Sequence, residues 1–168
     1  MKKLLLSVCT AAIAGALALA PSAHAVPVTD DEGITTIRLY SENRGLARID
    51  NNEPGPDNSD LVHRELALSW TRSGPVIGVS YSQAEIVAFN EEAKVDIRLT
   101  NIQESIPGGI IFMTGLSELA IGSYPGPGWT ETFAVIGGTG KYAGARGTAK
   151  KTLLEDGKTF EVDITLLP

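Results

Sequence analysis

Residues 132–147 read TFAVIGGTGKYAGARG, and this stretch decides the fold. A short apolar strand enters a turn carrying Gly137, Gly138 and Gly140, then leaves as a second extended segment ending in Ala-Arg-Gly. Glycine takes positive φ without steric cost, so the chain can reverse sharply here. Gly144 and Gly147 fall in the outgoing segment, where glycine marks the bends that a closing sheet needs. Phosphate-loop readings fail on spacing. A Walker A loop ending at Gly140-Lys141 would need glycine at Val135 and Ser or Thr at Tyr142. A dinucleotide fingerprint starting at Gly138 would need glycine at Ala143 and a helix after it.

Outward from this run, extended segments alternate with turn-formers. Asp156-Gly157 is a hairpin signal leading into the last strand. There Phe160, Val162, Ile164 and Leu166 share one face against Thr159, Glu161, Asp163 and Thr165. Upstream, residues 110–114 and 116–121 read as strands, followed by the turn-rich loop YPGPG at 124–128. Residues 94–103 alternate, with Val95, Ile97 and Leu99 on one side. Residues 76–89 form a long β-branched and aromatic run, although 83–99 also has some helical propensity. In residues 61–70, Val62, Leu66, Leu68 and Trp70 share a face with Arg64, against His63, Glu65, Ala67 and Ser69. Residues 34–40 form the first strand, and 51–59 (NNEPGPDNS) is a loop by composition. About eight strands without an amphipathic helix predict an all-β sandwich or barrel.

The first 25 residues have the layout of an export signal: Lys2 and Lys3, an apolar stretch, then Ala23-His24-Ala25 as a cleavage site. The expectation is a secreted protein cut after Ala25, with a loose segment at 26–33, one domain at 34–168 and no membrane anchor after cleavage. Cys9, the only cysteine, would leave with the signal, so no disulfide is expected. The remaining 12 basic and 20 acidic residues lack the footprint of a nucleic-acid binder. His63 is the one histidine beyond the signal, which excludes a Cys/His zinc site and a cysteine nucleophile. No metal and no cofactor are expected.

The chain resembles the allene oxide cyclase-like and dirigent-like barrel superfamily. Glu131 to Ile136 followed by Gly-Gly-Thr-Gly-Lys and Ala-Arg-Gly carries the resemblance. Asp60-Leu61-Val62 with Leu66 extends it, Ser59 standing where the family has glycine, and so does Ile77-Gly78 in the next strand. The resemblance implies an eight-stranded antiparallel barrel, distantly lipocalin-like, with an apolar small molecule in its lumen and a homodimer or homotrimer as its assembly. It also implies a cofactor-free cyclase, isomerase or stereocontrol activity. Against the plant cyclase, Arg44-Gly45-Leu46-Ala47 replaces the expected Ser-Pro pair. Against the plant dirigent pattern, residues 34–40 lack the acidic pair. Both departures count against the plant reactions.

Arg146 matches the arginine of the family's Ala-Arg-Gly, and alternation gives it a face with Tyr142. These two are the candidate catalytic residues. The bland alternative for Arg146 is a structural ion pair with Glu65 or Asp96. Arg38, Tyr40, Glu65 and Tyr81 sit on strands as candidate ligand contacts, with solvent exposure as their alternative. Two further functions use the same barrel: a non-catalytic carrier of an apolar ligand, and a secreted interaction module with a filled core.

Overall fold

The computed structural model describes residues 27–52 and 54–168, so the expected signal at 1–25 lies outside the described residues. Wherever period-two alternation is bounded by turn-formers, a strand forms. They are β1 (Val28–Thr29), β2 (Thr35–Ile49), β3 (Leu61–Ser69), β4 (Val76–Asn90), β5 (Val95–Ile106), β6 (Gly109–Ala120), β7 (Thr130–Gly138), β8 (Gly147–Leu153) and β9 (Thr159–Leu166). Each pairs antiparallel with the next, and β9 returns to β2 from Thr35↔Leu166 to Glu42↔Thr159. That seam closes β2 to β9 into an eight-stranded barrel, which removes the open edges a flat sheet would expose. The expected all-β antiparallel barrel is the observed one.

Within residues 27–33 a short strand forms. Val28 and Thr29 pair with Thr36 and Thr35, and Asp30 accepts backbone hydrogen bonds from Glu32 and Ile34. Two local expectations are corrected. The two segments at 110–121 are one continuous strand, β6. Residues 143–146 are not strand: a single 3₁₀ turn, Gly140–Tyr142, precedes them, and β8 begins only at Gly147. The helical propensity of 83–99 is overridden by the β4 and β5 ladders.

The two barrel ends differ. At one end the core is dry, built on Ile37, Leu39, Ile106, Ile111, Met113, Ile164 and Leu166. The glycine-rich run seals this end. Thr139 N–H donates to Ile110 O at 2.8 Å, and Tyr142 OH donates to Pro107 O at 3.3 Å with its ring in the core. Gly140 sits at φ 61°, and a Cβ there would strike the Gly108 carbonyl. Only glycine meets both demands.

At the other end the strands flare. A bulge between Asn43 and Gly45 in β2 shifts the register. Beyond it, Leu46 lies opposite Arg64 and Arg48 opposite Val62, so both turn to the inner side. Pairing between β6 and β7 stops at Thr114↔Ala134, which leaves the two strands apart toward this end. The loop 121–129 crosses the opening.

Candidate functional site

The site is the open end of the barrel, and its inner face is polar where the closed half is apolar. On β5 the inward positions are Asp96, Arg98, Thr100, Ile102, Glu104 and Ile106, all buried, while Val95, Ile97 and Leu99 face outward. Arg98 binds Asp96 through two parallel hydrogen bonds of 2.6 and 2.7 Å. This bidentate pair satisfies two charges that would otherwise be costly to bury. Thr100 and Ser117 lie side by side on the neighbouring strands β5 and β6, their hydroxyls 3.4 Å apart.

Two further cations reach the lumen. Arg64 on β3 is part-buried, and Lys151 on β8 is 5% exposed. Neither makes a salt bridge among the described residues. The Lys151 Nζ stands 4.8 Å from the Phe160 ring centroid, and Phe160 meets Trp129 edge-on at 6.3 Å. Burial pushes the Lys151 ammonium down; Glu104 pulls it partly back and Arg64 lowers it further. Burial likewise works against the Arg64 charge.

Glu104 lies one layer below, fully buried, with neither carboxylate oxygen in a hydrogen bond of normal geometry among the described residues. Its cross-strand neighbour Ser80 also has an unpartnered hydroxyl, as does Ser41. Burial holds the Glu104 carboxyl above its usual range, and the Lys151 charge and then the adjacent Ser80 hydroxyl offset part of that rise. A buried carboxyl and a buried amine thus share the lumen without touching.

A cavity of about 50 Å³ remains between these groups, lined by Arg64, Arg98, Thr100, Ser117, Phe133, Lys151 and Phe160 and roofed by Pro125 and Trp129. Above it lies a basin of about 600 Å³ bounded by Leu46, Leu66, Tyr124, Leu153 and Lys158. Arg64, Pro125 and Phe160 line both. Tyr124 holds the loop across the opening. Arg48 donates to its hydroxyl at 3.1 Å, and the guanidinium carbons of Arg48 and Arg64 stand 4.5 and 5.4 Å from its ring centroid. Such cation–π contacts tether without fixing rigidly.

The residues singled out from sequence lie elsewhere. Arg146 is exposed at the sealed end, outside the barrel, beside Leu167 and Pro168. It pairs with neither Glu65 nor Asp96, because Asp96 is held by Arg98 at the opposite end. Tyr142 is a core plug rather than a lumen contact. The presumed alternation fails because the chain between them is a turn. Arg38 faces out and is bound to Asp163 at 2.6 and 3.2 Å. Tyr40 lies opposite Glu161 on the same outer face, and burial followed by that carboxylate raises its pKa. Glu65 and Tyr81 are paired neighbours on the outer wall, with Tyr81 half exposed. None of the four lines the lumen cavity.

Arg64 carried a readable signal, a cation on the apolar face of its strand. Arg98 and Lys151 carried none, since the face each strand turns inward is set by the whole barrel.

No protein-family model matches this sequence, and no curated protein sequence matches it significantly. Solved structures do match. The chain is similar to a pyocyanin demethylase, with 21% identity and a TM-score of 0.62, over 78% of this chain and 98% of that one. It is similar to a Diels-Alderase from Streptomyces koyangensis, with 15% identity and a TM-score of 0.61, over 79% of this chain and 63% of that one. It is also similar to a pterocarpan synthase dirigent protein, with 17% identity and a TM-score of 0.56, over 79% and 86%. The fold is that of the allene oxide cyclase and dirigent-like barrels.

Proposed function

We propose that this chain is an exported small-molecule-binding barrel that takes a largely apolar ligand at its open end and guides it into one folded conformer, as a cofactor-free cyclase or isomerase. The observation that carries the reading is the polar, cation-bearing cavity beneath a proline-aromatic roof, in a barrel whose other end is a packed apolar core. Binding sites of this kind combine apolar walls with a few fixed polar groups. Holding a flexible molecule with its reacting ends together lowers a ring-closure barrier by orientation alone, by up to about 7–11 kcal/mol in the best cases. Arg64, Arg98 and Lys151 would polarise an oxygen of the substrate as charge develops on it. The activities of proteins of similar fold, a Diels-Alderase among them, support ring chemistry. Export is supported by the layout of residues 1–25.

A second reading, carriage without conversion, is favoured by the sizes of the two spaces. The lumen cavity is far smaller than the basin, so most of a ligand would rest where its conformers are least restrained. Native mass spectrometry of the mature protein from its own source, followed by incubation with any molecule it retains, decides between them. A retained molecule converted to an isomer supports the cyclase. A retained molecule recovered unchanged supports the carrier. Protein that is empty and refuses apolar probes leaves the interaction module.

A further inference from the structure

We propose that the ligand of this barrel is an amphipathic anion, an apolar body bearing one carboxylate, phenolate or enolate, whose charged end enters the lumen between Arg64 and Lys151. The inference rests on the ligand-binding reading above and gives the ligand its charge. Among the fourteen residues lining the lumen cavity are three cations and no carboxylate. Arg98 is neutralised by Asp96 through two hydrogen bonds. Lys151 and Glu104 compensate each other at a distance, whether both are charged or both neutral. Arg64 is left over: part-buried, without a salt bridge among the described residues, and on the rim that lumen and basin share.

In the basin the carboxylates of Glu42 and Asp156 are matched by two further cations, Arg72, which holds Asp156 at 2.8 Å, and Lys158. Glu131 is the register partner of Lys151 on β7, but its carboxylate engages Ser117 and Glu118, and the charges that act on Lys151 are Glu104 and Arg64. From β9 the groups beside Lys151 are Phe160 and Val162; Glu161 and Asp163 belong to the outer face. From the roof comes Tyr124, whose ring centroid stands 5.4 Å from the Arg64 guanidinium carbon. A cation withdrawn from water without a partner is a standing cost, and a bound anion relieves it. The apolar body has its place as well. Leu46, Leu66, Leu153 and Phe160 line the basin directly above. The same anion would draw a proton onto Lys151, so binding should strengthen as pH falls.

The test uses two dyes that share a skeleton. 8-Anilinonaphthalene-1-sulfonate carries a permanent negative charge, and N-phenyl-1-naphthylamine is its neutral counterpart. Fluorescence titration of the protein should give at least about tenfold tighter binding of the sulfonate, the range of one charge-assisted hydrogen bond. Arg64→Met should abolish that preference while leaving the neutral dye bound, and Arg64→Lys should keep most of it. In the native protein the sulfonate affinity should fall as pH rises, and Lys151→Met should flatten that dependence. Because the sulfonate itself does not titrate there, the dependence reports the protein alone. Equal affinity for both dyes, or a preference that survives Arg64→Met, overturns the anion assignment while leaving ligand binding intact. An affinity that does not fall with pH in the native protein overturns the part given to Lys151. Failure to bind either dye removes the binding reading together with this one.

Discussion

Glu104 and Lys151 are buried ionisable side chains that no direct bond joins, and burial pushes each toward its neutral form. Such an arrangement costs stability, because desolvation is only partly offset across the gap. Replacing both by apolar residues of similar volume, Glu104→Leu with Lys151→Met, is therefore expected to stabilise the fold by about 1–4 kcal/mol, measured by urea unfolding at neutral pH. The pH dependence has a definite sign. Glu104 holds its proton more tightly folded than unfolded, so its contribution is full below its ordinary value of 4.5 and is lost as pH rises through its higher folded value. Glu104→Gln alone should flatten that decline in unfolding free energy measured from pH 4 upward. At the sealed end the expectation differs. Arg146→Ala, on an exposed side chain, should change stability by no more than about 0.5 kcal/mol and leave dye binding unchanged. Tyr142→Phe should cost about 0.5–1.5 kcal/mol through the lost bond to Pro107. A large loss of ligand binding in Arg146→Ala would restore the role that its motif suggested. Sequence marked this arginine because its neighbours form a recognisable string, but the string is a structural plug. Arg64 was the legible exception, since a cation in the apolar face of a strand must end up somewhere unusual.

Among the elements, β5 shows why alternation alone misleads. Val95, Ile97 and Leu99 make one face apolar, while Ile102 and Ile106 make the opposite face apolar a few residues later. One strand without a bulge cannot bury both sets. The dry half of the barrel wins, because Ile102 and Ile106 enter its core, and Asp96, Arg98 and Thr100 are carried inward with them. The polar lumen is thus a consequence of register, which a single strand does not reveal. The outgoing segment that ends in Ala145-Arg146-Gly147 misled for the opposite reason: its glycines make a turn before any strand begins. The loop 121–129 was legible as turn-rich but not as a cover over the site. Its hold on the barrel is Tyr124 between Arg48 and Arg64. Cation–π contacts at exposed sites are worth about 0.5–1 kcal/mol each. Tyr124→Ala should therefore speed release of the bound anionic dye by several-fold, followed by stopped-flow dilution, with little change in unfolding free energy. An unchanged release rate would mean that the loop does not gate the cavity.

For the whole molecule, the decisive contact is the seam between β2 and β9, which joins the two ends of the domain. It brings Ile37 opposite Ile164 and Leu39 opposite Val162 on the inner face, all fully buried. On the outer face the same two strands carry Arg38 bound to Asp163. The two faces should contribute very unequally. Arg38 is half exposed, and water screens its ion pair, so its loss should cost less than about 1 kcal/mol. Ile164→Ala removes buried volume that the neighbouring strands cannot fill, and should cost about 2–5 kcal/mol. Both are measured by chemical denaturation followed through Trp70 and Trp129, which report the sealed and open ends separately. Coincident transitions from the two tryptophans, each isolated by replacing the other with Phe, would show that closure makes one cooperative unit. If Arg38→Ala proved as damaging as Ile164→Ala, the barrel would be clasped from outside and the packed seam would not be what closes it. The outcome bears on function, because a barrel closed from within can afford an unsatisfied, charged lumen at its other end. The dry half supplies the stability that Glu104, Lys151 and Arg64 withdraw.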